Sequence, residues 1–196
     1  MHSEQRRPAL FLDRDGVLNV NRPDHVKGWE EFEFLPGVLV ALRSLARLPV
    51  PIIVVTNQAI VNRGRITAAR LADIHARMLA AVAAAGGRID AIYACPHRPD
   101  EGCDCRKPRP GMLLQAAREW SLDLPRSVFV GDALTDLEAA LAAGAQPVHV
   151  ASGQGRAQRP AVGAHPQHRH GPQAEDLPAA VPWLLAWFAA NDGHGN

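Results

Sequence analysis

Residues 8–17 read PALFLDRDGV, a short apolar run that ends in two carboxylates, Asp13 and Asp15. Such a run with acidic residues directly after it is typical of a buried strand whose carboxyl end opens onto a site. Gly16 eases a turn just after the strand, so that both side chains can converge. Converging carboxylates repel each other unless a cation or a proton lies between them. The stretch therefore predicts a β-strand that delivers acidic groups to a site.

Further apolar runs alternate with amphipathic stretches along the chain. The other predicted strands are 51–56, 89–94, 127–130 and 147–150, and the predicted helices are 38–48, 67–85, 110–120 and 135–143. Strands that are apolar on both faces and alternate with helices indicate a parallel sheet covered on both sides. The predicted fold class is therefore α/β, a Rossmann-like three-layer sandwich around a mainly parallel sheet.

The chain has 196 residues, which predicts a single domain over 1–196 with its core at about 8–153. Residues 156–173 are polar and rich in Pro, Gly and His, and we predict a loop there. A terminal helix is predicted at about 178–190. Its side chains expected to face the core are Val181, Leu184, Leu185 and Phe188.

Composition argues against several classes of partner. The 21 basic and 20 acidic residues give a net charge of +1, which offers no basis for binding nucleic acid or an anionic membrane. No apolar run reaches the roughly 18 residues of a membrane span, and the N-terminus does not resemble a secretory signal. The three cysteines all lie between Cys95 and Cys105, as in a metal site rather than a disulfide framework. We expect a cytoplasmic monomer.

Later segments bring more polar groups to the same predicted edge of the sheet. The second strand ends in a hydroxyl and an amide, a lysine precedes the third helix, and the fourth strand leads to two further carboxylates. These residues are Thr56, Asn57, Lys107, Asp132 and Asp136. The carboxyl ends of parallel strands meet at one edge, and such a set suits phosphoryl transfer, which depends on positioning and charge neutralisation.

Residues 95–105 offer three thiols and one imidazole. The candidate ligands are Cys95, His97, Cys103 and Cys105. Three cysteines and one histidine can form a closed zinc site, whereas an iron–sulfur cluster prefers four cysteines and redox chemistry a C-x-x-C pair. We therefore predict a structural Zn²⁺ that pins this loop, and it would also fix where the adjoining Arg106 and Lys107 point.

Four segments together resemble the four motifs of the haloacid dehalogenase superfamily: DRDGV (13–17), VVTN (54–57), RKP (106–108) and VGDALTD (130–136). The resemblance extends over roughly residues 8 to 153, and four ordered motifs are far more specific than one. It implies a Mg²⁺-dependent phosphatase. Asp13 resembles the nucleophile that forms an aspartyl phosphate, and Asp15 resembles the general acid and base.

The same resemblance implies roles for the other motif residues. Mg²⁺ would be held by Asp13, the backbone carbonyl of Asp15, and Asp132. The transferring phosphoryl group would be held by Thr56, Asn57 and Lys107. Asp136 would orient Lys107 or a metal-bound water, although an exposed acid at a helix start is an alternative interpretation.

The segments between the motifs are short, which predicts that no separate cap domain is present. The capless form combined with CPH…CDCRKP resembles a branch containing heptose bisphosphate phosphatases and histidinol-phosphate phosphatases. The stretches EFEFLPG (31–37) and RKPRPGM (106–112) look more like the heptose enzymes, which remove the 7-phosphate of D-glycero-D-manno-heptose 1,7-bisphosphate. The resemblance then implies a small phosphorylated sugar as substrate. The residues expected to bind it are Asn21, Arg22, Pro23, Asp24, Asn57, Gln58 and Arg106.

The sequence departs from the pattern of this branch at several positions, and alternative functions stay open. Relatives often have Lys after the motif-four Asp and Ser-Gly after TNQ, where this chain has Ala133 and Ala59-Ile60. A histidinol-phosphate phosphatase is the nearest alternative. A receiver domain with a stable phosphorylated aspartate is another, although Asp15 and the zinc loop argue against it. A catalytically silent zinc-bound binding module is the third.

Overall fold

The computed structural model describes residues 6–167 and 171–191 of the chain. The strands are β1 Leu10–Leu12, β2 Ile52–Asn57, β3 Ala91–Cys95, β4 Val128–Gly131, β5 Gln146–Val150 and β6 Gln173–Ala174. The α-helices are α1 Val38–Leu45, α2 Ala68–Ala84, α3 Gly111–Glu119, α4 Leu134–Ala143, α5 Gly155–Ala164 and α6 Leu177–Asn191. All strand pairs are parallel, and the sheet order is β3-β2-β1-β4-β5-β6. The predicted α/β fold with a parallel sheet is confirmed.

Helices cover both faces of the sheet because successive strand side chains point to opposite faces. Leu10 and Leu12 pack with α1, α2 and α6, whereas Phe11 and Phe129 pack with α3 and α4. Phe11 and Phe129 meet edge to face, with ring centroids 6.4 Å apart. The central strands are therefore buried on both sides, as the continuous apolar runs predict.

The position of β1 in the sheet determines where a site can form. This strand lies between β2 and β4. Leu12 pairs with Val130, and the backbone N–H of Asp13 donates to the Val130 carbonyl at 2.9 Å. The chain moves outward from β1 in one direction through β2 and β3, and in the other through β4 to β6. The crevice beyond β1 and β4 is the topological switch point, where open α/β sheets bind ligands.

Connections between the motif segments are short. Between β1 and β2 the chain forms a 3₁₀ turn at Trp29–Glu31 and α1. Between β2 and Lys107 it forms α2, β3 and a 3₁₀ turn at Pro99–Glu101. Within the described residues no connection forms a domain above the sheet edge, in agreement with the predicted capless form.

The predicted loop at 156–173 is wrong over its first half, where α5 runs from Gly155 to Ala164. Pro160 lies inside this helix and most of its side chains are exposed, so the sequence carries little helical periodicity. Tertiary packing forms it instead, because Val162 is fully buried and Gly155 lies against β5. A Cβ at Gly155 would come within 1.8 Å of the Val150 carbonyl oxygen. The predicted loop also contains β6, and its residues 168–170 lie outside the described ranges.

The C-terminal helix α6 agrees with the prediction except at one core position. Its buried residues are Leu177, Ala180, Leu184 and Phe188. Leu185 is 36% exposed, so its predicted core position is wrong. Trp183 and Trp187 stack with ring centroids 5.2 Å apart along the helix. In 6–167 and 171–191, no helix has both the length and the apolar character needed to cross a membrane.

Candidate active site

A cavity of about 270 Å³ opens at the carboxyl ends of β1, β2 and β4. It lies at the switch point of the sheet, and most of its wall consists of polar residues. The lining residues are Asp13, Asp15, Asn21, His25, Thr56, Asn57, Arg106, Lys107, Asp132, Ala133, Thr135, Asp136, Gln154 and Gln158. Residues from all four motif segments therefore meet in one cavity.

The ammonium of Lys107 lies between two carboxylates at the floor of this cavity. Its Nζ is 2.9 Å from Oδ1 of Asp13 and 2.6 Å from Oδ1 of Asp136. It also donates to the Val55 carbonyl at 2.9 Å. Burial favours the neutral amine, but the two carboxylates outweigh it and raise the pKa of Lys107 above its usual range. Lys107 therefore stays charged although it is buried.

Asp132 faces Asp13 across the crevice between β1 and β4. Burial, followed by repulsion from Asp13 and Asp136, raises the pKa of Asp132 to about 8. Burial also raises the pKa of Asp13 to about 7, against the opposing effect of Lys107. One oxygen from each of Asp13, Asp132 and Asp136 lies within 4.8 Å of the other two. Such a buried set of carboxylates is short of positive charge and suits a hard cation such as Mg²⁺.

Two glycine turns allow the chain to approach Asp132 closely. Gly16 has φ +89°, and a Cβ there would lie 2.1 Å from Oδ2 of Asp132. Gly153 has φ +58°, and its Cβ would lie 2.1 Å from the same oxygen. Gln154, which follows Gly153, donates its backbone N–H to that oxygen at 2.7 Å. The turn after β1 and the turn before α5 thus enclose one carboxylate oxygen.

Asp15 is held by three side chains. Arg14 Nη2 donates to both carboxylate oxygens at 2.9 Å, and Asn19 Nδ2 donates to Oδ1 at 2.9 Å. Gln58 Nε2 donates to Oδ2 at 2.7 Å. Burial would raise the pKa of Asp15, but Arg14 and the other donors outweigh it and lower that pKa. The free protein therefore holds Asp15 in its ionised form.

Gln58, which the sequence predicts to bind substrate, does not line the cavity. Its side chain is buried, with 1% exposure, and donates to Thr56 Oγ1 at 2.9 Å as well as to Asp15. It lies behind the cavity wall rather than in it. The physical reason is that the chain turns directly after β2, so the residue after Asn57 points back towards the end of β1.

Asn57 connects the end of β2 to the segment that carries Lys107. Its Nδ2 donates to the Lys107 carbonyl at 3.1 Å, and its Oδ1 accepts from the Lys107 N–H at 3.1 Å. Arg106, which also lines the cavity, donates from Nη1 to the His97 carbonyl at 3.1 Å. The lysine and the arginine are therefore positioned by β2 and by the cysteine loop, respectively.

The predicted entrance loop contributes less than expected. Asn21 lines the cavity, but Arg22, Pro23 and Asp24 are absent from its wall. Arg22 pairs with Asp24 at 3.2 Å, and Asp24 also pairs with Lys27. These ion pairs involve the charged side chains outside the cavity wall.

Besides Ala133, four further lining residues carry no prediction. They are His25, Thr135, Gln154 and Gln158. His25 adopts φ 62° and lies with Nε2 3.1 Å from Nη1 of Arg63. Gln158 accepts from the Leu134 N–H at 2.6 Å, at the start of α4. The spacing of four between Gln154 and Gln158 is typical of one helical face, but the polar composition of this segment predicts a loop.

The cysteine–histidine loop gathers its four candidate ligands at the end of β3. Cys105 Sγ lies 3.1 Å from Cys95 Sγ and 3.4 Å from Cys103 Sγ. His97 Nδ1 lies 3.2 Å from Cys105 Sγ, and the four donor atoms all lie within 4.8 Å of one another. Tetrahedral zinc with bonds of about 2.3 Å separates thiolate sulfurs by roughly 3.8 Å. The donor set fits a structural zinc site, in which the metal would hold the sulfurs somewhat further apart.

The site defines a phosphatase of the haloacid dehalogenase type. It combines acidic groups at the topological switch point, a buried lysine between two of them, and hydrogen-bond donors at the end of β2. The HAD-hydrolase-like family model matches residues 104–180. A D-glycero-β-D-manno-heptose-1,7-bisphosphate 7-phosphatase of Pseudomonas putida is 48% identical over 74% of this chain and 83% of its own length. The enzyme of that name from Bordetella bronchiseptica is 43% identical over 90% of this chain and 97% of its own length. The chain belongs to this family of heptose bisphosphate phosphatases.

Solved structures agree with the family. The crystal structure of D,D-heptose 1,7-bisphosphate phosphatase from B. bronchiseptica, complexed with magnesium and phosphate, matches with a TM-score of 0.86 and 42% identity. The match covers 91% of this chain and 98% of that one. The corresponding enzyme from Burkholderia thailandensis matches with a TM-score of 0.70 and 31% identity, over 92% and 99% of the two chains. The alternatives of a receiver domain and a silent zinc module are therefore set aside.

Proposed function

We propose that this phosphatase removes the 7-phosphate of D-glycero-β-D-manno-heptose 1,7-bisphosphate with the help of Mg²⁺. The observation that carries the proposal is the buried ammonium of Lys107 between Asp13 and Asp136, in the cavity that also contains Asp132. The substrate and its β-anomer are inferred from the names of the relatives.

The proposed Mg²⁺ site consists of the carboxylates of Asp13 and Asp132 and the backbone carbonyl of Asp15. The raised pKa values of both carboxylates support it, because an added cation would relieve their repulsion in a buried site. Oδ1 of Asp136 contacts Lys107, and its Oδ2 accepts from the Ala133 N–H at 3.0 Å. We therefore assign Asp136 to orienting Lys107. Bound Mg²⁺ would neutralise charge on the phosphoryl oxygens.

In the first proposed step, Asp13 attacks phosphorus, a bond from its oxygen to phosphorus forms, and the bond to the sugar oxygen breaks. Oδ1 of Asp13 already accepts from the Arg14 N–H at 2.7 Å and contacts Lys107, which leaves Oδ2 for the attack. Lys107 and Thr56 stabilise negative charge on the transferring group. The substrate binds as a phosphate monoanion and so brings one proton. Asp15 takes this proton and passes it to the leaving sugar oxygen.

In the second proposed step, Asp15 acts as a base on water. It takes one proton from a water molecule, whose oxygen attacks phosphorus and breaks the bond to Asp13. Inorganic phosphate leaves, Asp15 releases its proton to the solvent, and both carboxylates are restored. The lowered pKa of Asp15 suits this step, because the free side chain is already ionised.

We also propose that Zn²⁺, held by the three cysteines and His97, stabilises the loop without taking part in the chemistry. All four ligand positions are protein side chains, as in closed structural sites. The contact from Arg106 to the His97 carbonyl supports a link between this loop and the substrate cavity.

The proposal is tested by measuring phosphate release, with Mg²⁺ present, from four compounds. These are the two anomers of the heptose bisphosphate, the heptose 1-phosphate and histidinol phosphate. We expect the β-bisphosphate to give the highest kcat/KM and the 1-phosphate to be inert. A preference for histidinol phosphate would overturn the substrate, and phosphate release from an Asp13→Asn variant would overturn the mechanism.

A further inference from the structure

Arg14 is a fully buried charged side chain between the two aspartates of the first motif, with 0% exposure. Burying a guanidinium is unfavourable unless its N–H groups are paired. Nη2 of Arg14 donates to both oxygens of Asp15, while its Nε has no hydrogen-bond partner. The guanidinium also lies over the Phe32 ring, with Cζ 6.0 Å from the ring centroid, so its one remaining hydrogen-bonded anchor is the partner of Nη1.

That partner is His75, on the buried face of α2. Its Nε2 lies 3.1 Å from Nη1 of Arg14. A guanidinium has no acceptor, so Nε2 must accept and the ring must be neutral, with its proton on Nδ1. Burial and the neighbouring Arg14 charge lower the pKa of His75 to about 4, consistent with a neutral ring. His75 is 9% exposed and lines no part of the cavity.

We infer that His75 is a positioning residue for the proton-transfer group Asp15, acting through Arg14. The imidazole holds one end of the guanidinium, and the other end holds the carboxylate that meets the leaving oxygen. Loss of the Nε2 acceptor leaves a second nitrogen of the buried Arg14 without a hydrogen-bond partner, so the guanidinium shifts or takes up water. Asp15 then loses its alignment. This inference rests on the proposed role of Asp15.

A packing role for His75 and a positioning role predict different kinetics. An alkyl phosphate needs a proton on its leaving oxygen, whereas p-nitrophenyl phosphate has a leaving group that departs without one. The quantity kcat/KM covers only the steps up to the first irreversible one, so it excludes the later attack of water. A misaligned Asp15 should therefore lower kcat/KM for the alkyl substrate selectively.

The experiment compares His75→Asn and His75→Gln on the heptose bisphosphate and on p-nitrophenyl phosphate. The amide oxygen of glutamine can reach the position of Nε2, whereas that of asparagine reaches only the position of Nδ1. We expect His75→Asn to lower kcat/KM about 10- to 100-fold for the bisphosphate and less than about threefold for the aryl phosphate. His75→Gln should recover most of the loss.

Met78→Ala serves as the matched control, because Met78 is fully buried one turn further along the same helix. It should lower the thermal unfolding temperature and affect both substrates equally. Equal losses on both substrates in His75→Asn, or no rescue by His75→Gln, would overturn the inference. If the wild-type protein hydrolyses neither substrate, or if Asp13→Asn hydrolyses both as fast as the wild type does, the proposed function fails instead.

Discussion

The ammonium of Lys107 lies 2.9 Å from a carboxylate oxygen of Asp13, and both side chains are buried in the crevice beyond β1. The two residues are far apart in sequence and come together because Asn57 bonds the backbone of Lys107 to the end of β2. The attacking group and the cation that neutralises the developing charge are thus held in one arrangement before substrate binds, which is the condition for electrostatic catalysis.

Replacing Lys107 by methionine should lower kcat by about 10²- to 10³-fold, the typical effect of losing one electrostatic stabiliser. The Asp13 and Asp136 carboxylates would also lose their buried partner, so the unfolding temperature should fall. Kinetic assays and thermal unfolding on the same sample measure both effects. Arg118→Met removes an exposed cation from α3 and should change neither quantity. Full activity in Lys107→Met would contradict the proposed role of the lysine.

The metal-free protein should become less stable as pH rises, through Asp132. Its pKa is raised in the folded state from the usual 3.8 to about 8, so the proton favours the folded form. This contribution is fully present below about pH 4 and is lost as pH rises through about 8. The free energy of unfolding, measured from pH 5 to 9, should fall less steeply in Asp132→Asn than in the wild-type protein, because asparagine carries no such proton.

Added Mg²⁺ should offset that loss of stability. Because the cation competes with protons for the same carboxylates, the Mg²⁺-induced rise in unfolding temperature should be larger at pH 8 than at pH 5.5. Asp132→Asn should show a much smaller rise at either pH. An equal effect of Mg²⁺ on both proteins would argue against Asp132 as a ligand.

Replacing Cys103 by serine should release zinc and lower the unfolding temperature by several degrees. The loop from 95 to 105 has little apolar core of its own, so the metal contributes much of its stability. Activity should fall as well, because Arg106 contacts the carbonyl of His97. Asp104→Ser is the matched control, since the Asp104 side chain is 99% exposed and lies between the two cysteines. Metal analysis should give one zinc per chain in the control and less in Cys103→Ser.

Alanine at Gly16 should damage the active site rather than the fold alone. Its Cβ would lie 2.1 Å from Oδ2 of Asp132, and φ +89° is unfavourable for alanine. Gly64→Ala separates the two effects, because φ is +67° there but no atom lies within 4 Å of the new Cβ. We expect Gly64→Ala to lose only about 1 kcal/mol of stability and to keep its kcat. A wild-type kcat and Mg²⁺ affinity in Gly16→Ala would contradict this prediction.

Local sequence predicts an element correctly where the hydrophobic pattern of the element matches its burial in the fold. The continuous apolar runs predict the central strands because both faces of β1, β2 and β4 are buried. Thr67 caps α2 by accepting from the Arg70 N–H, as expected of a threonine directly before an apolar-periodic stretch. The helix α5 shows the opposite case, since burial of Val162 and the close approach of Gly155 to β5 form a helix in a polar, proline-containing segment.

The sequence by itself determined the order of the elements other than α5 and β6, the acidic groups at the strand ends and the cysteine–histidine cluster, because strand and helix periodicity and ligand chemistry are local properties. Only the tertiary structure decided which neighbours those groups have. It turned Gln58 back towards Asp15, moved Arg22 and Asp24 out of the cavity, and brought Gln154 to Asp132. It also joined His75 to Arg14. Contacts of this kind depend on how distant elements pack, which no short stretch of sequence encodes.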